Sequence, residues 1–247
     1  MDDAQNTFAL INDILQVKQN KLLDFERSNK LSVLIQCDDS GFPKLSLTKQ
    51  ISISIADVNE QSISISLSKN TVAENAGLGT IIGEINVEDP DRGQTHSCAL
   101  LRNPFDTFEI SGNVFKVKQN MYLNYEFKSV MDVIIQCNDS GLPMQSIKKE
   151  LSIKVTDVNE RPQYLSMSNY RVPENSANKL VGTLKTRDPD KNDVKFHYEL
   201  VRGMDFFTLV NNKLFTKIEF NYEKRRSYGI EIRSTDCAGI IIIENIL

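Results

Sequence analysis

Tryptophan is absent, and the 247 residues hold only two histidines and four cysteines. Four cysteines whose spacing matches no zinc pattern exclude a dense disulfide scaffold and a structural zinc site. An excess of positive charge is lacking too: 29 Lys and Arg face 33 Asp and Glu, a formal net charge of -4. With no basic cluster to overrule that balance, a nucleic-acid partner is not expected. The longest apolar run, Ile240 to Ile243, is far too short to span a bilayer. Met1 is followed by Asp2, Asp3 and a polar run, which does not read as a secretory leader. A bounded piece of a longer secreted or membrane protein would read the same way, so a cytoplasmic home does not follow. Alanine is scarce while Ile, Val, Ser and Asn are plentiful, which favours strands over helices.

What is present is a repeat. Leu23-Asp24-Phe25-Glu26 recurs as Leu123-Asn124-Tyr125-Glu126 and, more loosely, as Phe220-Asn221-Tyr222-Glu223. Ile35 to Gly41 recurs as Ile135 to Gly141, with a worn third copy at Arg233 to Gly239. Val72-Ala73-Glu74-Asn75 returns as Val172-Pro173-Glu174-Asn175, and Glu88-Asp89-Pro90-Asp91 as Arg187-Asp188-Pro189-Asp190. Asp57-Val58-Asn59-Glu60-Gln61 returns as Asp157-Val158-Asn159-Glu160-Arg161, each run closing a β-like stretch. The offsets lie between 97 and 100, too regular for chance.

A period near 100 is too long for a solenoid and suits independent sandwich domains. Residues 1–60 read as the C-terminal part of one copy, 61–160 as a complete copy, and 161–247 as a copy without its closing Asp-x-Asn run. In the complete copy, strands are expected around Ile63 to Leu67, Thr80 to Val87, His96 to Leu101, Phe108 to Ile110, Asn113 to Val117, Ser129 to Gln136 and Ile147 to Val155. About seven short strands with regular turn signals predict an all-β protein of tandem immunoglobulin-like Greek-key β-sandwiches.

The repeated acids fall mainly in expected loops and strand ends. Calcium asks for several hard oxygen ligands and accepts mixed carboxylates and carbonyls from irregular loops. In Asp-x-Asp the two carboxylates share one side if the backbone is extended. Asp-Pro-Asp and Asp-Ser-Gly are common turn sequences when met singly. Retention of the whole acidic set at fixed offsets is what favours a metal role.

In this order and spacing the motifs resemble the cadherin family over essentially the whole chain. The family's Leu-Asp-Arg-Glu is echoed at Leu23 to Glu26, Leu123 to Glu126 and Phe220 to Glu223. Its Pro-Glu-Asn is matched at Pro173 to Asn175 and less fully at Ala73 to Asn75. Its Asp-x-Asp is Asp89/Asp91 and Asp188/Asp190, and its linker run is Asp57 to Gln61 and Asp157 to Pro162. The Asp of its late Asp-x-Gly loop falls on Asp39, Asp139 and Asp236.

The resemblance implies a calcium (Ca2+) cluster at each joint, with ligands from both neighbouring domains. At the second joint these are Glu74, Glu126, Asp157 and Glu160, with Asn159 and the Arg161 carbonyl in the linker, and Asp188, Asp190 and Asp236 downstream. At the first they are Glu26, Asp57, Asn59, Glu60, Asp89, Asp91 and Asp139. This joint has no upstream Glu-Asn partner in the chain, so weaker binding is expected there. Departures from the pattern are Glu60 and Glu160 for the linker's second Asp, and Gln61 and Arg161 for its second Asn. Thr95 and Val194 stand near the family's Asn after Asp-x-Asp-x-Gly, and Asn192 replaces the turn glycine retained as Gly93. The outermost ion of each cluster is therefore the least supported.

The function implied is calcium-dependent cell–cell adhesion at the extracellular side of the plasma membrane, within a longer protein that supplies the membrane anchor. Partners would be other cadherin-like ectodomains, homophilic or heterophilic, with no small-molecule substrate. The alternative is a calcium-rigidified spacer or receptor segment. Some family members swap a strand anchored by Trp, and this chain has no Trp for it. No nucleophile turn or repeated catalytic constellation is found, so an enzyme is not expected. Cys37 and Cys137 read as buried thiols, with a Cys98–Cys137 bridge as the alternative, and Cys237 can pair outside the chain. His96 and His197 read as equivalent strand-surface residues. Asn138-Asp139-Ser140 fits a glycosylation sequon, but its middle residue belongs to the proposed metal loop.

Overall fold

The computed structural model describes residues 7–20, 23–190 and 195–246. Asn192 and Val194 lie outside them. The protein is all-β, and most of its described strands pair in antiparallel ladders.

The chain divides into two compact units. The first comprises Met1–Thr71, Gly77–Asn120 and Val130–Lys154; the second comprises Val72–Ala76, Met121–Ser129 and Val155–Leu247. The short acid-bearing segments of the middle copy thus group with the last copy, while most of its strands group with the first.

In the first unit, Lys30–Asp38 pairs with Ser46–Ser54 and Phe8–Ile11 with Ile14–Val17. The middle copy supplies a sheet in the order Ser64–Leu67, Ile81–Glu88, Val114–Val117, Phe108–Ser111. Its second sheet runs Thr71–Ala73, Ser146–Thr156, Val130–Asp139, His96–Arg102. Strand periodicity explains the burial. In Val130–Asp139, Met131, Val133, Ile135 and Cys137 are fully buried at every second position. Phe108 and Phe115 face the core of the other sheet with ring centroids 5.1 Å apart. Burial of each such side chain contributes about 1.5–3 kcal/mol.

Two expectations for this copy need correction. Thr71–Ala73 is a short strand that three residues of pattern could not signal. Ile63 does not share the fate of Ile65: it precedes the strand and is 62% exposed, against 2% for Ile65.

The second unit has a sheet ordered Tyr164–Met167, Leu180–Arg187, Lys213–Thr216, Phe207–Val210 and another ordered His197–Arg202, Ile230–Thr235, Ile241–Ile246. Leu165, Leu184, Leu200, Leu214, Ile232 and Ile242 are among its buried core. Phe220 packs on Tyr228 at 4.4 Å and on Phe207 at 5.4 Å between ring centroids, and the Arg225 guanidinium lies 4.4 Å from the Tyr228 centroid. Phe220 is the aromatic that opens the third Leu-Asp-Phe-Glu-like run, so the repeat motif anchors itself in the core.

Cys98 and Cys137 are direct cross-strand partners and form a disulfide. Of the two readings of Cys137, the bridge is realised. Cys37 differs from the expectation of a buried thiol and is exposed. Among the described residues its strand has only one sheet neighbour, so nothing covers that position as Cys137 is covered. The bridge closes a loop of sequence separation 39. Replacing both cysteines with alanine is expected to lower stability by about 2–4 kcal/mol. Chemical denaturation under oxidising conditions checks this, and an unchanged midpoint would contradict it.

Candidate metal centres

Each copy builds its acidic end from the same local devices. The Leu-Asx-aromatic-Glu run forms a turn held by its second residue: Asp24, Asn124 and Asn221 each accept, through Oδ1, the backbone N–H three residues on, at 2.8, 2.6 and 2.9 Å. Leu123 and Phe220 bury the preceding position. The turn thereby presents the Glu at a fixed place, which explains why Asp and Asn are interchangeable at the second position.

The late Asp-x-Gly loop follows the same logic. Asp39 Oδ1 accepts from Gly41 N and Leu45 N, both at 3.0 Å, and Asp139 Oδ1 accepts from Gly141 N and Gln145 N at 3.1 and 3.0 Å. Asp236 Oδ1 accepts from Ala238 N and Ile240 N at 2.9 and 2.7 Å. These acids shape their own loops. Asp139 and Asp236 also hold the linker asparagine. Asn159 Nδ2 donates to Asp236 Oδ2 at 2.9 Å, and Asn59 Nδ2 lies 3.3 Å from Asp139 Oδ2 while donating to Pro143 O at 2.7 Å. Burial opposes ionisation of Asp236, but the bonds from Asn159 and the loop N–H groups outweigh it and hold its carboxyl below the ordinary value.

The Asp-Pro-Asp pairs are bent, not extended. Asp89 Oδ1 accepts from Asp91 N at 2.9 Å and Asp188 Oδ1 from Asp190 N at 3.0 Å. The extended-backbone argument for the two carboxylates therefore fails, because the central proline sits in an Asx-type turn. The second acid of each pair instead receives the linker: Glu60 N donates to Asp91 Oδ2 at 2.9 Å, and Glu160 N to Asp190 Oδ2 at 2.7 Å.

In the first unit Glu26, Glu60 and Asp91 bring carboxylate oxygens within 4.8 Å of one another. Asp57 lines the groove of about 480 Å³ that Glu26, Arg27 and Arg92 also line. Among the described residues of the second unit two trios meet the same limit, Glu74 with Glu126 and Glu160, and Glu126 with Asp157 and Asp190. Glu74 is buried, and its Oε1 and Oε2 accept from Val158 N and Tyr125 N at 2.7 and 2.8 Å. Of the expected acids, Asp89, Asp139, Asp188 and Asp236 stand outside these trios. Arg161 is exposed, and its Nε donates to Ile241 O at 3.0 Å.

Gathered carboxylates raise one another's pKa. Burial first, then the charges of Glu74, Asp157 and Asp190, pushes Glu126 up. Burial and the charges of Glu74, Glu126, Asp190 and Asp188 do the same to Glu160. Desolvation and the charges of Glu26 and Asp91 raise Glu60. Asp91 Oδ1, Asp190 Oδ1 and Glu160 Oε2 are buried oxygens with no hydrogen-bond donor from the protein. An all-oxygen donor set with such oxygens fits a hard divalent cation.

Sequence reasoning did not find Ser62, Gln94 and His96. Ser62 Oγ donates to Asp89 Oδ2 at 2.5 Å, His96 Nε2 lies 2.8 Å from the same oxygen, and Gln94 Nε2 donates to Asn59 Oδ1 at 2.6 Å. Burial would raise Asp89, but the bonds from Ser62 and His96 outweigh it and lower its pKa. A signal was available for Ser62, since the other linker has Pro162 at that position. His96 and His197 are not equivalent: His96 pairs with Asp139, whereas His197 pairs with Thr235, one residue short of Asp236. A one-residue offset turns a strand side chain to the other face, and His197 is exposed.

Human protocadherin gamma-A11 is 28% identical over 251 residues, spanning 94% of this chain and 27% of that protein. The Drosophila melanogaster protocadherin-like wing polarity protein stan is 28% identical over 234 residues, 87% of this chain and 6% of that protein. The fold superposes on extracellular cadherin domains 3–6 of protocadherin gamma B2 with a TM-score of 0.69 and 21% identity, covering 98% of this chain and 62% of that one. The chain is cadherin-like. Mouse cadherin-23 domains EC22–24 share the fold at a TM-score of 0.67 and 21% identity, covering 99% of this chain and 82% of that one. No protein-family model matches the sequence. The chain spans about a quarter of the length of the curated protocadherins it matches.

Gly141 lets the cadherin-like loop approach the linker: a Cβ there would fall 1.7 Å from Asn59 Oδ1. Since Asn59 is bonded at both ends of its amide, it cannot yield freely. Gly141→Ala is expected to cost about 1–3 kcal/mol, checked by urea unfolding; a change below about 0.5 kcal/mol would show that Asn59 is not fixed.

Proposed function

We propose that this chain is a segment of a cadherin-like ectodomain that binds calcium at two acidic centres and serves calcium-dependent cell–cell adhesion. The repeat boundaries fall at 60/61 and 160/161, so that each centre draws on two successive repeats. The observation that carries the reading is that two acidic groups, built from matching positions of successive copies, leave buried carboxylate oxygens of Asp91, Asp190 and Glu160 without a protein donor.

The first centre is assigned Glu26, Asp57, Asn59, Glu60, Asp91 and Asp139, with Asp89 beside them. The second is assigned Glu74, Glu126, Asp157, Asn159, Glu160, the Arg161 carbonyl, Asp188, Asp190 and Asp236. Calcium supplies the positive charge that offsets carboxylate repulsion. The residues do the rest. Glu74 is oriented by two backbone N–H groups, Asp236 fixes Asn159, and the Glu160 N–H fixes Asp190. Binding to a folded centre stiffens the linkers and lets distant repeats present a defined adhesive face to another cadherin-like ectodomain.

An extracellular location is supported by the Cys98–Cys137 bridge, since disulfides persist in oxidising compartments. Ser62, Asp89 and His96 meet, yet Ser62 and His96 engage the same carboxylate oxygen. A nucleophilic triad needs the imidazole between hydroxyl and acid, so this trio supports no catalytic reading. The lack of Trp favours, as a second reading, a calcium-stiffened spacer or receptor segment. Calcium-dependent bead aggregation by the intact ectodomain separates the two.

A ligand that binds only the folded state raises stability by about 2.7 kcal/mol at a hundred times its Kd. Thermal unfolding in saturating calcium should therefore shift upward relative to chelator. Alanine at Asp157, Asp188 and Asp190 should remove most of that gain. Identical melting with and without calcium would refute the reading.

A further inference from the structure

We propose that Ser62 and His96 withdraw Asp89 from calcium binding at the first centre; this rests on the calcium reading above. The Asp89 side chain is only 5% exposed. Its Oδ1 accepts the Asp91 N–H at 2.9 Å, and its Oδ2 receives Ser62 Oγ at 2.5 Å and His96 Nε2 at 2.8 Å. A carboxylate offers about four lone-pair directions, so three are committed to donors of the protein itself.

Hydrogen bonds to an ionised acceptor are the strong ones. A cation that took Asp89 Oδ2 would have to displace both donors and leave them only each other, Ser62 Oγ and His96 Nε2 being 3.2 Å apart. Ser62 is buried and the His96 side chain is 14% exposed, so water could not fully compensate them. The neutral amide oxygen of the linker is engaged as well, because Asn59 Oδ1 accepts from Gln94 Nε2 at 2.6 Å. Protein donors thus occupy the Asp89 oxygens that an ion would take.

The second centre lacks this arrangement for reasons written in the sequence. Pro162 stands where Ser62 stands and has no hydroxyl. His197 pairs with Thr235, so it does not stand opposite Asp236 as His96 stands opposite Asp139. His197 is exposed and lines a different groove with Lys195, Tyr198, Leu209 and Asn211. Asp188 therefore faces neither a serine hydroxyl nor an imidazole from these positions.

Calcium titration calorimetry on the full chain tests the proposal with Asp89→Asn, Asp188→Asn and the double variant Ser62→Pro/His96→Phe, folding being checked by circular dichroism. Asp89→Asn should leave the number of bound ions unchanged and affinity within about twofold. Asp188→Asn should lose an ion or weaken binding on the order of tenfold, in line with the dependence of affinity on ligand charge. The double variant should bind one additional calcium, and adding Asp89→Asn to it should abolish that ion. If the double variant does not fold, the two single variants decide. Equal behaviour of Asp89→Asn and Asp188→Asn overturns the proposal. A wild-type chain that takes up no calcium removes the calcium reading itself, which is a separate and recognisable result.

Discussion

Repulsion between carboxylates confined to a few ångströms is the constraint that governs the acidic ends of this chain. Two unit charges 4 Å apart interact by about 4 kcal/mol at an effective dielectric of about 20. Each trio of acids lies within 4.8 Å, so a folded protein must offset several such terms. The upward pull on Glu60, Glu126 and Glu160 is the same constraint seen from the proton's side.

The acids divide by how they are compensated. Glu74, Asp139 and Asp236 are met by backbone N–H groups and by the linker asparagines, and they set the shape of loops and linker. Asp89 is met by a hydroxyl and an imidazole. Asp91, Asp190 and Glu160 keep a buried oxygen that no protein donor reaches. A motif that looks like one ligand set thus holds acids that shape loops and linker and acids that keep an oxygen without a protein donor. Sequence similarity to protocadherins covers both kinds without distinguishing them.

Much of this was legible in the residues. The period of the repeat and the alternation in Val130–Asp139 and Ser146–Thr156 carried the all-β class, because period-2 burial is a local property of strands. Acids at fixed offsets include every member of the three carboxylate trios that the described residues form. What stayed hidden depended on geometry. Asp-Pro-Asp reads equally as extended or as a turn, and only the Asp91 N–H to Asp89 bond separates the two. Register separated His96 from His197, and cross-strand pairing selected the Cys98–Cys137 bridge. Thr71–Ala73 is too short to show a period.

The central claim is that a cation, and not hydrogen bonding alone, completes the order of the linker at the second centre. Amide hydrogen exchange across Asp157 to Arg161 tests this most directly, because exchange reports local opening. With calcium the Val158 and Glu160 amides, bonded to Glu74 and Asp190, should exchange on the order of tenfold or more slowly than in chelator, the gain expected for a site that must order to bind. Equal exchange in the two conditions would contradict the account.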